Sequence, residues 1–220
     1  MLTFYYHPLS PIARRVWIAL LEKKIPFEPV LVDLTGEQLK PEFLSLNPFH
    51  HVPVVVDGEL RILESLAILD YLEVKYPSPS LLPQTPAAIA QMRMVQMVTA
   101  NELTPKIPAL VMVDDSPDRG EAALQHLVTV LDFFTQQLGD AAYFGGNELS
   151  LADVTAGTAL PLFVRLGLEL NEHPAIAAWY ERLMAREPWQ KTEPDEEAFR
   201  TWKRWVSLRI KRRRRQKGQG

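Results

Sequence analysis

Residues 77–86 read PSPSLLPQTP. Four prolines in ten residues deny this segment a helical ladder and a place inside a sheet. The patterning of the chain changes across it. Before it, short β-forming runs alternate with helical ones; after it, apolar residues recur only at helical spacing. The 220-residue chain therefore reads as two units, a small α/β one and an all-helical one.

In the first unit, LTFYYH (2–7) predicts a strand. Ser10 and Pro11 open a helix on which Ile12, Val16, Ala19 and Leu20 share a face, and Lys23 and Lys24 suit its C-terminal dipole. Pro26 stops it. FEPVLVDL (27–34) is a second strand, with Pro29 marking an edge, and the crossover allows parallel pairing. KPEFLSLN (40–47) predicts a short helix and VPVVVD (52–57) a buried strand. Asp57-Gly58 turns the chain into ELRIL (59–63), and Ser65, Ile68, Leu69, Leu72 and Tyr76 mark a closing helix. The expected organisation is an α+β unit over 1–76 (βαβ-α-ββα), a linker over 77–86, an all-α helical bundle over 87–208 and a basic tail over 209–220. In the bundle, ELSLADV sets Ser150 three residues before Asp153, the spacing of a capping box, with Leu149 and Val154 placed for a hydrophobic staple.

Composition excludes several chemistries. There is no cysteine, so disulfides, thiolate metal sites and a cysteine nucleophile are ruled out. No apolar run reaches the length of a membrane span, and MLTFYYHPLS has no signal-peptide pattern, so a cytoplasmic protein is expected. Seven Lys and Arg residues lie between Arg209 and Lys217; removing them from the net charge of −3 leaves −10 on the rest. Like charges oppose ordering, so the tail reads as solvated, in weak contact with acidic surfaces at most and dispensable for catalysis.

Three short stretches carry candidate chemistry. In HPLSPIARR (7–15), Ser10 stands at a helix tip, where its hydroxyl can cap the helix or donate to a ligand. In HVPV (51–54), Val52-Pro53 is open to either isomer; a cis bond would turn the Val52 backbone outward, a trans bond would simply start a strand. In ESLAIL (64–69), Ser65 is an N-cap whose helix end can bind an anion, with Glu64 beside it for an ammonium, or the pair is a plain cap. His50 and His51 lack a third ligand, and no metal is expected.

These three features, in this order, resemble the glutathione transferase family, cytosolic and serine-type, with phi-, theta- and tau-like and bacterial members. PEFLSLNPFHHVPVVVDGELRILESLAILDYL (41–72) is the most specific match, and LSLADVTAGTALP (149–161) resembles the capping motif of the family's helical domain. The resemblance implies a thioredoxin-like first domain, glutathione as co-substrate and a homodimer. It implies that Val52, next to a cis Pro53, pairs with the cysteinyl backbone of glutathione, that Glu64 and Ser65 hold the γ-glutamyl end, and that Gln38 and His51 face the glycyl end. Ser10 then matches the catalytic serine. Tyr5, Tyr6 and Arg14 are the alternatives for activating the thiol, and Arg15 is read as a structural ion-pair partner. Leu9, Asn101, Leu103, Thr104 and Ile107 match the region that takes the second substrate. Two positions depart from the pattern: His50 stands where a glycine often follows Asn-Pro-Phe, and Leu39 where phi-like members often carry lysine. The implied activity is conjugation of glutathione to small electrophiles, a detoxification reaction. The alternative is a non-catalytic protein of the same fold that binds glutathione or apolar ligands, or docks onto an assembly.

Overall fold

The computed structural model describes residues 1–217. The chain begins with β1 (Leu2–Tyr6), α1 (Pro11–Glu22), β2 (Phe27–Leu31), α2 (Pro41–Leu46), β3 (Val54–Asp57), β4 (Leu60–Leu63) and α3 (Ser65–Lys75). The strands form one sheet in the order β2-β1-β3-β4, with β1 parallel to β2 and antiparallel to β3. This is a thioredoxin-like domain. Pro29 lies on β2, at the sheet edge, where its missing N–H costs the ladder nothing. Ala13, Val16, Ala19 and Leu20 of α1 are buried with Phe4, Val54, Val55 and the Ile68, Leu69 and Leu72 face of α3.

Register decides what meets at the functional edge. Tyr5 of β1 pairs with Val54 of β3, which pairs with Leu63 of β4. The chain leaving β1 toward Ser10, the chain entering β3 through Val52-Pro53 and the chain leaving β4 into Glu64-Ser65 therefore emerge on the same edge. Three segments far apart in sequence are brought together by strand pairing alone.

After the proline-rich segment come α4 (Pro86–Val98), α5 (Ile107–Val111), α6 (Pro117–Leu138), α7 (Leu151–Arg165), α8 (Pro174–Met184), α9 (Glu187–Thr192) and α10 (Glu196–Lys217). Asp153 is fully buried at the start of α7. Its carboxylate accepts from the Ser150 N–H (2.8 Å), the Ser150 hydroxyl (2.7 Å), the Phe144 N–H (2.9 Å) and the Trp179 indole (2.8 Å). At Gly157 on α7 a Cβ would come 2.4 Å from Leu183 Cδ1, so any side chain there would force that buried methyl to shift.

Lys23 lies at the end of α1, as the sequence predicts, and is buried there against Glu73 (2.7 Å) and the Pro79 carbonyl (2.6 Å), and so ties α1 and α3 to the linker. The sequence reading is corrected in two places. Val128, which in the sequence falls on one helical stripe with Leu124, Leu127, Leu131, Phe134 and Leu138 and is expected to be buried with them, is exposed. The boundary expected between 208 and 209 falls inside α10, which runs unbroken to Lys217. Phe199 and Trp202 anchor that helix against Val111 and Leu162, and Lys211 pairs with Asp115 on the turn before α6. The last three tail residues, 218–220, lie outside the described residues.

Candidate active site

Ser10 is the N-cap of α1. Its backbone is extended, its N–H donates to His7 O (2.9 Å) and its hydroxyl accepts from the Ala13 N–H (3.2 Å). His7 Nδ1 accepts from the Leu9 N–H (3.1 Å), which folds 7–10 into a tight turn at the helix tip. Accepting uses one lone pair of the Ser10 hydroxyl and leaves its hydrogen free to donate. The hydroxyl opens onto a cleft of about 550 Å³ between the two domains.

Opposite Ser10, the Val52-Pro53 bond is cis, and the Val52 N–H and C=O have no backbone partner among the described residues. Asn47 holds this loop in place. Its buried amide donates to His51 O (2.7 Å) and accepts from the Phe49 N–H (2.9 Å). His50 sits at φ +60°, a region that favours glycine, which gives a physical reason for glycine at this point of the pattern. At α3 the cap is Glu64 and not Ser65. Glu64 has φ +64°, and Ser65 is the first helical residue, buried at the tip, its hydroxyl without a hydrogen bond among the described residues. The first residues of α3, whose N–H groups have no intrahelical acceptor, line the cleft. Gln38 also lines the cleft. Its amide nitrogen donates to Leu34 O (2.8 Å), and its carbonyl oxygen is buried without a hydrogen bond.

Ser10, Gln38, His51, Val52, Pro53, Glu64 and Ser65 thus share one wall system, with Leu9 and Thr104 on the side of the helical domain. The other expected residues lie elsewhere. Asn101 is exposed, Leu103 is fully buried, and Ile107 packs toward Val111 and Trp202; none of the three lines the cleft. The reason is local. Thr99–Leu103 forms a wide helical turn and Thr104–Lys106 a tight one, so the facing of 101–107 does not follow a regular helix.

The rival activators are also displaced. Tyr6 stacks on Phe4 (4.9 Å) and meets the Trp17 ring edge-on (5.0 Å), while Tyr5 borders a separate cavity with Val30 and Phe43. Arg14 turns away from the cleft. Its guanidinium donates to Thr192 Oγ1 (3.0 Å) and Trp189 O (3.1 Å) and pairs with Glu193 (2.5 Å). Arg15, read as an ion-pair partner, has no carboxylate within reach among the described residues. Only 3% exposed, it lines the cleft, makes one long bond to Thr104 Oγ1 (3.4 Å) and leaves Nε unpartnered. Burial pushes its pKa down to about 10. Sequence reasoning missed Asn47, Trp202, Trp205 and Arg209 on or behind the cleft wall. An Asn before Pro is a turn signal; nothing local marks the other three. Among the described residues, no group of three or more His, Asp and Glu is placed to hold a metal ion.

The thioredoxin-like domain thus sets a helix-tip hydroxyl, an unpaired backbone before a cis proline and a helix N-terminus on one cleft, backed by the helical domain. Comparison makes this specific. The family models described as glutathione S-transferase N-terminal domain and C-terminal domain match residues 4–80 and 117–182. Glutathione S-transferase 3 of Zea mays is 36% identical over 87% of this chain and 92% of its own. Glutathione S-transferase F10 of Arabidopsis thaliana is 32% identical over 87% and 96%. A glutathione transferase homologue from Sulfitobacter, solved with bound glutathione, superposes with a TM-score of 0.75 at 28% identity, covering 87% of this chain and 96% of its own. The chain belongs to the glutathione S-transferase family, a family of transferases.

Proposed function

We propose that this protein joins the sulfur of glutathione to small electrophilic carbon compounds. One observation carries the reading: the Ser10 hydroxyl, at the tip of α1, opens onto the same cleft as the unpaired Val52 backbone and the N-terminus of α3. Glutathione has a peptide backbone to pair with Val52 and an α-carboxylate for the tip of α3, with Glu64 for its ammonium. That placement sets its sulfur beside Ser10. The thiolate is the nucleophile, and an ordinary thiol is mostly protonated at neutral pH. A donated hydrogen bond from Ser10 and the positive end of α1 both favour the anion. Lowering the thiol pKa by two units corresponds to about 2.7 kcal/mol. The thiolate then attacks carbon, the leaving group departs with its electron pair, and the thiol proton goes to solvent.

The reading extends to a homodimer, supported by exposed apolar side chains on α3 and α4: Val74, 82% exposed, with Met94 and Met97. It also extends to the cytoplasm, where glutathione keeps thiols reduced; among the described residues no helix is long and apolar enough to cross a membrane. The test is turnover of an aryl halide and an isothiocyanate with glutathione, alongside calorimetric binding of glutathione. Turnover that depends on Ser10 is expected. Binding without turnover of either electrophile would favour the non-catalytic alternative, and light scattering at micromolar concentration should give twice the chain mass.

A further inference from the structure

The helical side of the cleft has a wall that the glutathione contacts leave unused. α10 brings Trp202, Trp205 and Arg209 to the cavity that Ser10 opens onto. Trp205 is half-buried and also borders a neighbouring cavity of about 230 Å³, with Leu9 and Leu34 alongside. Its ring thus borders two spaces, and an indole is a surface on which a flat ligand can stack. The Arg209 guanidinium carbon lies 5.6 Å from the centre of that ring. Lys211, two residues on, is paired with Asp115, whereas Arg209 has no carboxylate at ion-pair distance among the described residues. The walls of the cleft hold two arginines, Arg15 and Arg209, and one carboxylate, Glu64; glutathione brings an ammonium for Glu64 and an α-carboxylate for the tip of α3, which leaves Arg209 on the far wall. Arg209 is exposed and stands in the wall with no carboxylate of its own, so an anionic group on a ligand lying beside it gains a charge-assisted hydrogen bond. Partial burial and the nearby Arg213 both push Arg209 down from its ordinary pKa, so an anion there is favoured.

We propose that Trp205 and Arg209 form the subsite for the second substrate and select an aromatic electrophile that carries a negative charge, such as a halogenated nitrobenzoate. The ring stacks on the indole, and the anionic substituent meets the guanidinium. The inference rests on the reading that the cleft holds glutathione. With a chloronitrobenzoate, the C–S bond forms as chloride leaves with the C–Cl pair, and no oxidant or reductant enters.

The first test needs no turnover. Calorimetry on the full chain, with glutathione present, compares 3,5-dinitrobenzoate with 3,5-dinitrobenzamide, a neutral analogue; neither has a leaving group. The benzoate should bind at least tenfold tighter. Arg209→Gln should abolish that preference, Arg209→Lys should keep part of it, and Trp205→Leu should weaken both ligands. The Kd for glutathione in Arg209→Gln should stay within twofold. Equal affinity for the two ligands in the parent protein, or a preference that survives Arg209→Gln, overturns the proposal. So does a loss confined to glutathione, since Arg209 would then serve a carboxylate of the tripeptide. A second test follows conjugation of 4-chloro-3,5-dinitrobenzoate and its methyl ester. A higher kcat/KM for the benzoate, lost in Arg209→Gln, is the result expected, and equal values for the two overturn the subsite. If neither is conjugated while the binding preference holds, the conjugation reading fails and the subsite stands.

Discussion

Ser10 holds two roles in one hydroxyl, and they separate by chemistry. Ala removes both cap and donor, and should cost about 1 kcal/mol of stability and tenfold or more in conjugation rate, given about what donors to anions contribute. Asp caps as well as Ser but, once ionised, only accepts hydrogen bonds and repels a thiolate. Ser10→Asp should keep the melting temperature and lose conjugation, and thiolate absorbance in the glutathione complex should show a raised thiol pKa in Ser10→Ala. Normal turnover in both variants would reduce Ser10 to a cap. His50 gives a second prediction. A non-glycine side chain at φ +60° costs about 1–2 kcal/mol. After the extra unfolded-state freedom of glycine, His50→Gly should gain about 0.5–1 kcal/mol and raise the melting temperature by about 1–4 °C. A lower value would mean that contacts of the ring outweigh the strain. Ser10, Val52-Pro53 and Glu64-Ser65 were legible because each announces itself in two or three neighbouring residues. Arg15 was not, since Arg14 and Arg15 are identical in type and only the rotation of α1 sends one to Glu193 and the other to the cleft.

The turn that presents Ser10 depends on a titrating acceptor. His7 Nδ1 must be unprotonated to accept from the Leu9 N–H. Burial lowers the His7 pKa, and Asp33 opposes that only in part. A folded pKa below the unfolded one means that the proton binds the unfolded chain better. The stabilising contribution is therefore complete above the unfolded value near 6.5 and is lost as pH falls through the folded pKa. Stability and conjugation should both decline on that acid limb. In His7→Asn, whose side chain can accept from the same N–H without titrating, the decline should flatten. An unchanged limb would assign it elsewhere. The strand and helix order of the first domain was legible because period and punctuation agree there. NELTPKIP (101–108) was not, because two prolines and a wide turn break the helical period that placed Asn101, Leu103 and Ile107. α10 misled for a different reason. Charge repulsion argued for a solvated tail, but the apolar anchors Phe199 and Trp202 and the Lys211–Asp115 pair hold the helix on the body.

α1 belongs to both domains. It packs against α3 in its own domain and against α7 and α9, and its ends are pinned across the domain boundary. Arg14 holds Trp189, Thr192 and Glu193 near its tip, while Glu22 near its far end takes two 2.7 Å bonds from Arg186. The helix that aims Ser10 is therefore fixed by contacts made after residue 180, and no local signal before the linker could have disclosed them. This separates anchoring from chemistry at Arg14. Arg14→Met leaves the half-buried Glu193 with only its longer pair to Arg165 (3.7 Å) and strips a donor from the Trp189 carbonyl. Weakening a partly buried pair and losing that donor costs roughly 1–2 kcal/mol, which for a chain of this size lowers the melting temperature by about 2–8 °C. Sheet and helical signals should still melt together, since the Glu22–Arg186 tie and the α1–α7 packing keep the domains coupled. The thiol pKa of bound glutathione, read from thiolate absorbance well below the melting temperature, should match that of the parent protein. Ser10→Ala should show the reverse pattern, a small stability loss with a raised thiol pKa. If Arg14→Met instead raises the thiol pKa as much as Ser10→Ala does, the guanidinium reaches the sulfur through the helix it anchors, and activation belongs to the pair.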